Sequence, residues 1–391
     1  MKHLFYLIAF IGLSNFSHAQ LRDSTLTLIV EGHIFKPKQV EASSERIASL
    51  KVPEGFKIET FAENLGAPRM MALGPHGEVY VTSREEGYLM LLKDENKDGV
   101  AEVQKELLIK ENAHGLSIKN DILYLITVND VFKAKIKEDG SLDTMEQIVE
   151  NLPDGGQHNN RTMEFGPDGM LYISIGSTCN ACKETTDENA TMIRVDSSGN
   201  QRRIFAKGLR NTIGFDWEPS TKVLYGLDHG IDWLGDETQK EELNVIEENK
   251  DYGWPYIYGK SEYNKGDEPP KMTYAAYAAQ SEEPVMQLTA HAAPLDFEFY
   301  RGDMFPDNYK HSALVTLHGS WNRKDPVGYK LIWINYEDGK PVGEEDFITG
   351  FLTDNDQSIF GRPVGLLELE DGSVLVSDDL NGMIYRISYQ G

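Results

Sequence analysis

The stretch GPDGMLYISIG (166–176) decides the fold. A Gly/Asp turn leads into alternating apolar side chains, and the strand ends on small or polar residues. The phrase returns as GPHGEVYVTS (74–83), KNDILYLIT (119–127), PSTKVLYGLDHG (219–230), HSALVTLHGSW (311–321) and EDGSVLVSDD (370–379). Alternation of this kind suits strands that present one face to each of two packing layers. The first three copies lie about 45 residues apart, a common length for a propeller blade. Six copies predict an all-β, six-bladed β-propeller. A seventh blade stays open in the long interval between the fourth and fifth copies. That interval holds NKDYGWPYIYGKSEYNKGDEPPKMTYAAYAAQSEEP (249–284), read as a long loop insertion between the fourth and fifth blades. The closing strand is expected from MIYRIS (383–388) paired with FKIETFAE (56–63).

Residues 1–19 read as a secretory signal peptide: Lys2, an apolar run from Leu4 to Leu13, then Ser17-His18-Ala19. The run is too short to span a bilayer. No later stretch is apolar enough to cross one, so no membrane span is expected, and the location is periplasmic or secreted. Residues 20–50 form an irregular lead-in, and 51–391 the catalytic propeller domain. The formal net charge of −25 excludes nucleic acid as a partner, because an acidic surface repels phosphates.

Basic and imidazole side chains recur where strands of several blades begin. His158 lies in GGQHNNRTMEFGPDG (155–169), a polar turn that also holds Arg161. A neutral imidazole, with its free pKa of about 6.5, suits proton abstraction from a hydroxyl. Arg210 and Asn211 stand in KGLRNTIGFDWEP (207–219), and Arg362 in FGRPVGLLELEDG (360–372). His318 and Arg323 stand in HGSWNR (318–323), and His114 in ENAHGLSIKND (111–121). In so acidic a chain the set predicts a cationic pocket for an anionic ligand. A different chemistry is suggested by HGIDWLGDETQKEELNVIEENKDYGWP (229–255). Its Asp232, Asp236, Glu237, Glu241 and Glu242, with backbone carbonyls of the Leu234–Glu237 turn, are the oxygen ligands calcium prefers.

The ordered series GGQHNNRT, GLRNTIGFDW, GIDWLGDE…EELN, DYGWP, HGSWNR and GRPVG resembles the soluble glucose/sorbosone dehydrogenase family. The resemblance spans roughly residues 50–390. It implies pyrroloquinoline quinone (PQQ) and Ca2+ as cofactors, a sugar substrate, and an external electron acceptor, a cytochrome or a quinone. It implies that His158 is the base, that Arg210, Asn211 and Arg362 hold PQQ, and that carbonyls at Gly235 and Asp236 hold calcium. His318 or Arg323 would stand in for the family's remaining cofactor cations. The three carboxylates of PQQ would account for a basic pocket. The chain departs from the family beside the base, where Gln157 and Ser177 replace acidic residues.

Two signals remain. Cys179 and Cys182 are the chain's two cysteines, and an exported protein is expected to join them as a disulfide. DENKDGVAEVQK (94–105) has calcium-loop spacing at Asp94, Asn96, Asp98 and Gly99. Lys105 stands where an EF-hand places glutamate, so a hairpin turn is expected, with a second calcium as the alternative. Two other functions stay open: a metal-dependent propeller lactonase, and a non-catalytic propeller that binds a sugar or a protein.

Overall fold

The computed structural model describes residues 30–391 apart from Glu85, Asp354 and Asp356. The signal-peptide reading of residues 1–19 lies outside the described residues. The structure is all-β, with two five-residue helices, Ser44–Ala48 and Tyr274–Ala278, and a short 3-10 turn. Among the described residues, six four-stranded antiparallel sheets follow one another along the chain. Their first strands are Pro68–Leu73, Leu116–Lys119, Met163–Phe165, Thr212–Trp217, Pro294–Phe299 and Pro363–Glu368. The six repeated phrases supply the second strands: Val79–Ser83, Ile122–Ile126, Leu171–Ile175, Leu224–Asp228, Ala313–Leu317 and Val374–Asp378.

These second strands are almost wholly buried because each is sandwiched between two neighbouring sheets. In the first sheet, Val79 and Val81 pack with Leu375 and Ile384 of the sixth. Tyr80, between them, packs on the other side with Leu116, Leu123 and Leu125 of the second. Alternation by two therefore becomes contact with two neighbours. One apolar cluster fills each successive junction: second with third, third with fourth, fourth with fifth, and fifth with sixth. The sixth sheet returns to the first, and the arrangement is propeller-like.

Closure comes from the predicted pair. Phe56–Ala62 is the outer strand of the sixth sheet and runs antiparallel to Met383–Tyr389, with Phe56 opposite Tyr389 and Ile58 opposite Ile387. Phe56 also reaches the fifth sheet. Its ring meets Phe305, Phe347 and Tyr389 edge-on, with centroids 4.8, 5.0 and 5.0 Å away.

The position of the insertion needs correction. Met286–Leu288 pairs with Glu241–Val245 as the outer strand of the fourth sheet. The Tyr-rich segment therefore leaves and re-enters the same sheet instead of joining the fourth to the fifth. It carries a two-stranded hairpin, Ile257–Tyr258 with Glu262–Tyr263, and the second short helix. The segment 94–102 is a hairpin turn joining the paired strands Tyr88–Lys93 and Val103–Ile109. Its Asp94 and Asp98 carboxylates accept backbone N–H groups of Gly99 and Val100 at 2.8 and 3.0 Å. No helix among the described residues is long and apolar enough to cross a membrane.

Phe56 ties the closing strand to two sheets, so its loss should act on the whole ring. Phe56→Ala should lower unfolding stability in urea by about 3–5 kcal/mol, the usual cost of removing a buried phenyl ring. A loss below about 1 kcal/mol would show that the closing strand is not held through this ring.

Candidate functional site

Every first strand begins at one mouth of the ring and ends at the other. Met70, Ile213, Leu295 and Val364, from four of these strands, form an apolar plug between the mouths. Beyond it, where the first strands end, lies a cavity of about 530 Å3 lined by Glu164, Asp216, Asp296, Glu298 and Arg301 among others. Burial pushes the Glu164 and Asp296 carboxyls up to about 7. Arg301 is paired with Asp216 at 2.7 Å. The Glu164 and Asp296 carboxyls resist ionisation and the guanidinium is already paired, so this cavity does not favour an anion.

The mouth where the first strands begin is cationic. In the fourth sheet, Asp228 ends the repeated strand. Its carboxylate accepts the backbone N–H of Arg210 at 2.9 Å, that of Asn211 at 2.8 Å, and the Thr212 hydroxyl at 2.8 Å. In the sixth sheet, Asp378 ends the repeated strand and accepts the N–H groups of Arg362 at 2.8 Å and Leu380 at 3.0 Å. The same carboxylate position thus fixes both arginines where they leave the sheet. Burial pushes Asp228 up to about 6 and Asp378 up to about 7, and the donors they accept work against that.

The guanidiniums are oriented in turn. Arg210 donates Nε–H to Asn180 O and Nη2–H to Asn180 Oδ1, both at 2.8 Å, and faces Asp232 at 3.3 Å. Arg362 donates to His318 O at 3.1 Å and Gly319 O at 3.0 Å. Arg69 pairs with Asp379 at 2.5 Å, and His318 Nε2 holds the other oxygen of that carboxylate at 2.9 Å. Burial opposes ionisation of Asp379, yet His318 and Arg69 hold it well below the usual carboxylate range.

His158 stands between the third and fourth sheets. Its Nδ1 is 2.7 Å from Ser177 Oγ and 3.1 Å from Ser177 O. A carbonyl only accepts, so Nδ1 carries the proton and Nε2 keeps its lone pair. Burial, then Arg210 and His229, push the His158 imidazole down to about 2. His114, His229 and His318 are pushed down to about 3, 4 and 4, with burial the largest cause in each. Gly176 lets these groups meet: a Cβ there would lie 2.7 Å from His158 Cβ and 2.9 Å from Asn211 Oδ1.

The predicted residues do not all meet. His158, Arg210, Asn211, His318 and Arg362 share this mouth. His114 lies beneath it, 1% exposed, and donates Nδ1–H to Arg161 O at 2.9 Å. Its Nε2 offers a lone pair, which does not suit an anion. Arg323 is spent on the turn that it follows in space: it donates to Asp236 O, to Ala290 O at 3.2 Å and to Glu237 at 2.7 Å. Sequence reasoning missed Arg69, although APRMMALGPHG (67–77) sets an arginine beside the first repeat much as GRPVG sets Arg362 beside the last. It also missed Asp228 and Asp378, which lie inside the repeated phrases.

The residues fit an anion with several carboxylates. Arg69 Nε is buried without a hydrogen-bond partner among the described residues; Arg69 and Arg362 meet around His318 and Asp379, and His229 lies under the influence of both His318 and Arg210. PQQ matches that chemistry. Calcium at Gly235 and Asp236 does not fit as readily. The Gly235 carbonyl accepts His291 Nε2–H at 2.9 Å, and the Asp236 carbonyl accepts the Arg323 guanidinium. A divalent cation there would have to displace a cation already in place. Glu241 and Glu242, read as oxygen ligands, instead accept backbone N–H groups of Gly230 and Gly259 at 2.8 and 2.6 Å.

Comparison with known proteins places the chain in a family and matches its fold. A family profile described as TrAA12-like matches residues 50–390. An uncharacterised protein of Borreliella burgdorferi is 33% identical over 370 residues, covering 91% of this chain and 96% of that one. The pyrroloquinoline quinone-dependent pyranose dehydrogenase of Coprinopsis cinerea is 33% identical over 128 residues, 28% of this chain and 17% of that one. Its PQQ domain in the holo form superposes with a TM-score of 0.73 at 20% identity, covering 87% of this chain and 97% of that domain. A Trichoderma reesei protein of carbohydrate-active enzyme family AA12 superposes at 0.75, with 20% identity and the same coverage.

Two outcomes are expected. Asp228→Ala strands two backbone N–H groups beside Arg210 and should cost about 3 kcal/mol of unfolding stability; an unchanged urea midpoint would remove the bracket. The four depressed imidazoles favour their neutral forms in the fold. Their contribution to stability is intact above about pH 6.5 and is lost as the pH falls below it. NMR of the protein should show no protonation step for them between about pH 8 and pH 5, and a step above pH 6 at His158 would contradict the burial argument.

Proposed function

The chain belongs to the TrAA12-like family, and on that premise we propose that it is a PQQ-dependent dehydrogenase that oxidises a sugar at its anomeric or aldehyde carbon. The observation that carries the reading is the convergence of Arg69, Arg210 and Arg362 with Asn211 and His158 at one mouth of the ring. In this reading the six sheets are the blades of a six-bladed propeller, and the insertion belongs to the fourth blade. Arg210, Arg362 and Arg69 hold the carboxylates of PQQ, with the Asn211 amide beside them. When bound, PQQ supplies a two-electron acceptor for the hydride of the substrate.

The protein's own part is the proton. His158 Nε2 takes it from the substrate hydroxyl, while Nδ1–H stays on Ser177 and keeps the ring in one tautomer. Burial is the largest cause that depresses His158, and Arg210, the largest charged one, is also a proposed holder of a cofactor carboxylate. A carboxylate against Arg210 would offset that part of the depression and make the imidazole a stronger base. Burial between sheets keeps the ring from turning away. An external acceptor, a cytochrome or a quinone, would take the electrons. The protein is exported, with residues 1–19 as its signal peptide.

The test is dye reduction by the protein with PQQ and a panel of aldoses and sorbosone, run with calcium and with a chelator. Turnover in both media is expected. His158→Ala should lower kcat by about 100-fold or more while PQQ still binds, the usual scale for losing a general base. Full activity in that variant would remove the base. Binding of PQQ without turnover of any sugar would favour a non-catalytic propeller.

A further inference from the structure

Between the base and the cofactor arginine runs a loop of four residues, Cys179–Asn180–Ala181–Cys182, closed by a disulfide. It touches Arg210 directly and reaches His158 through Ser177. Ser177, fully buried just before the loop, receives Nδ1–H of His158 and donates its own hydroxyl to Cys179 O at 2.8 Å. The hydroxyl has one proton, so its direction is fixed: imidazole to serine to loop carbonyl. On the other side Asn180 receives Arg210 through its backbone and its side chain. The Asn180 side chain also receives the N–H of Asp232 at 2.8 Å, which sets the carboxylate facing Arg210. Ser177 N donates to Arg210 O at 2.8 Å, so the backbones of the two sides are joined as well.

We propose that the disulfide-closed loop is the positioning element of the site, aiming His158 through Ser177 and Arg210 through Asn180. Two physical arguments favour this over a role in overall stability. A ring this short removes little entropy from the unfolded chain, so its gain in global stability is small. Its carbonyl and amide groups face the site: Asn180 O and Asn180 Oδ1 accept from Arg210, and Cys179 O accepts from the serine that holds His158. Cys179 and Ala181 pack against the buried cluster of Ala190, Ile231 and Trp254, which backs the loop. Ser177 therefore takes over the orienting task that a carboxylate beside the imidazole would perform, without adding a charge. Ser177 and Asn180 are positioning residues, not catalytic ones.

The inference rests on the PQQ reading for its Arg210 half and not for its His158 half, so the experiment reads both. The Cys179→Ser/Cys182→Ser pair and Asn180→Ala are compared with the parent chain. Nitrogen-15 NMR of the His158 ring reports its tautomer without cofactor, and PQQ titration reports the cofactor side. The parent should show one tautomer, protonated at Nδ1. Opening the disulfide should mix the tautomers and weaken PQQ binding about tenfold, the scale of one charge-assisted hydrogen bond. Asn180→Ala should weaken PQQ binding alone, with the His158 tautomer kept. An opened loop that leaves both tautomer and affinity unchanged overturns the proposal, as does a parent ring protonated at Nε2. If PQQ does not bind the parent chain, the cofactor reading fails, and the tautomer measurement still decides the positioning role of the loop.

Discussion

The structure depends on one packing constraint: each sheet must bury both faces of its second strand against a neighbour. Tyr80 facing the second sheet and Val79 and Val81 facing the sixth show the constraint within three residues. A row of such sheets would leave two apolar faces in water. The ring removes both, and the antiparallel pairing of Phe56–Ala62 with Met383–Tyr389 makes the closure with strands far apart in the chain. The contacts that close it must offset the entropy of joining distant strands, and the Phe56 ring contributes packing on two sheets there.

A ring of this kind places the beginnings of all first strands at one mouth. That geometry converts scattered residues into a site. Arg69, Arg210 and Arg362 are far apart in sequence yet occupy related positions in three sheets. Asp228 and Asp378 repeat the solution for holding the arginine backbone in place. The far mouth received carboxylates at the opposite strand ends, Glu164, Asp216 and Glu298, and the apolar plug keeps the two ends separate. An acidic protein can thus hold an anion at one mouth.

The strands were legible because alternation by two is a direct imprint of sandwiching, and the six phrases became the six second strands. The place of the insertion was not legible. Met286–Leu288 is three residues long, with too little pattern to show that it returns to the fourth sheet. Arg210 and Arg362 could be read as cations near strand starts. The fate of Arg323 could not, because its partners besides Glu237 are backbone carbonyls, those of Asp236 and Ala290 among them, and a carbonyl leaves no mark in the sequence. The same holds for Ser177. Its partner is Cys179 O, so the sequence showed only that a carboxylate was missing beside the base. His114 looked like a pocket residue, and its burial beneath the mouth depended on packing between sheets.

The central claim is that this mouth is a site for an anionic quinone cofactor. Isothermal titration of the protein with PQQ at several salt concentrations tests it most directly. One molecule should bind per chain, with affinity falling as salt rises and falling further in Arg362→Ala. No binding, or binding that is indifferent to both salt and Arg362, would contradict the account.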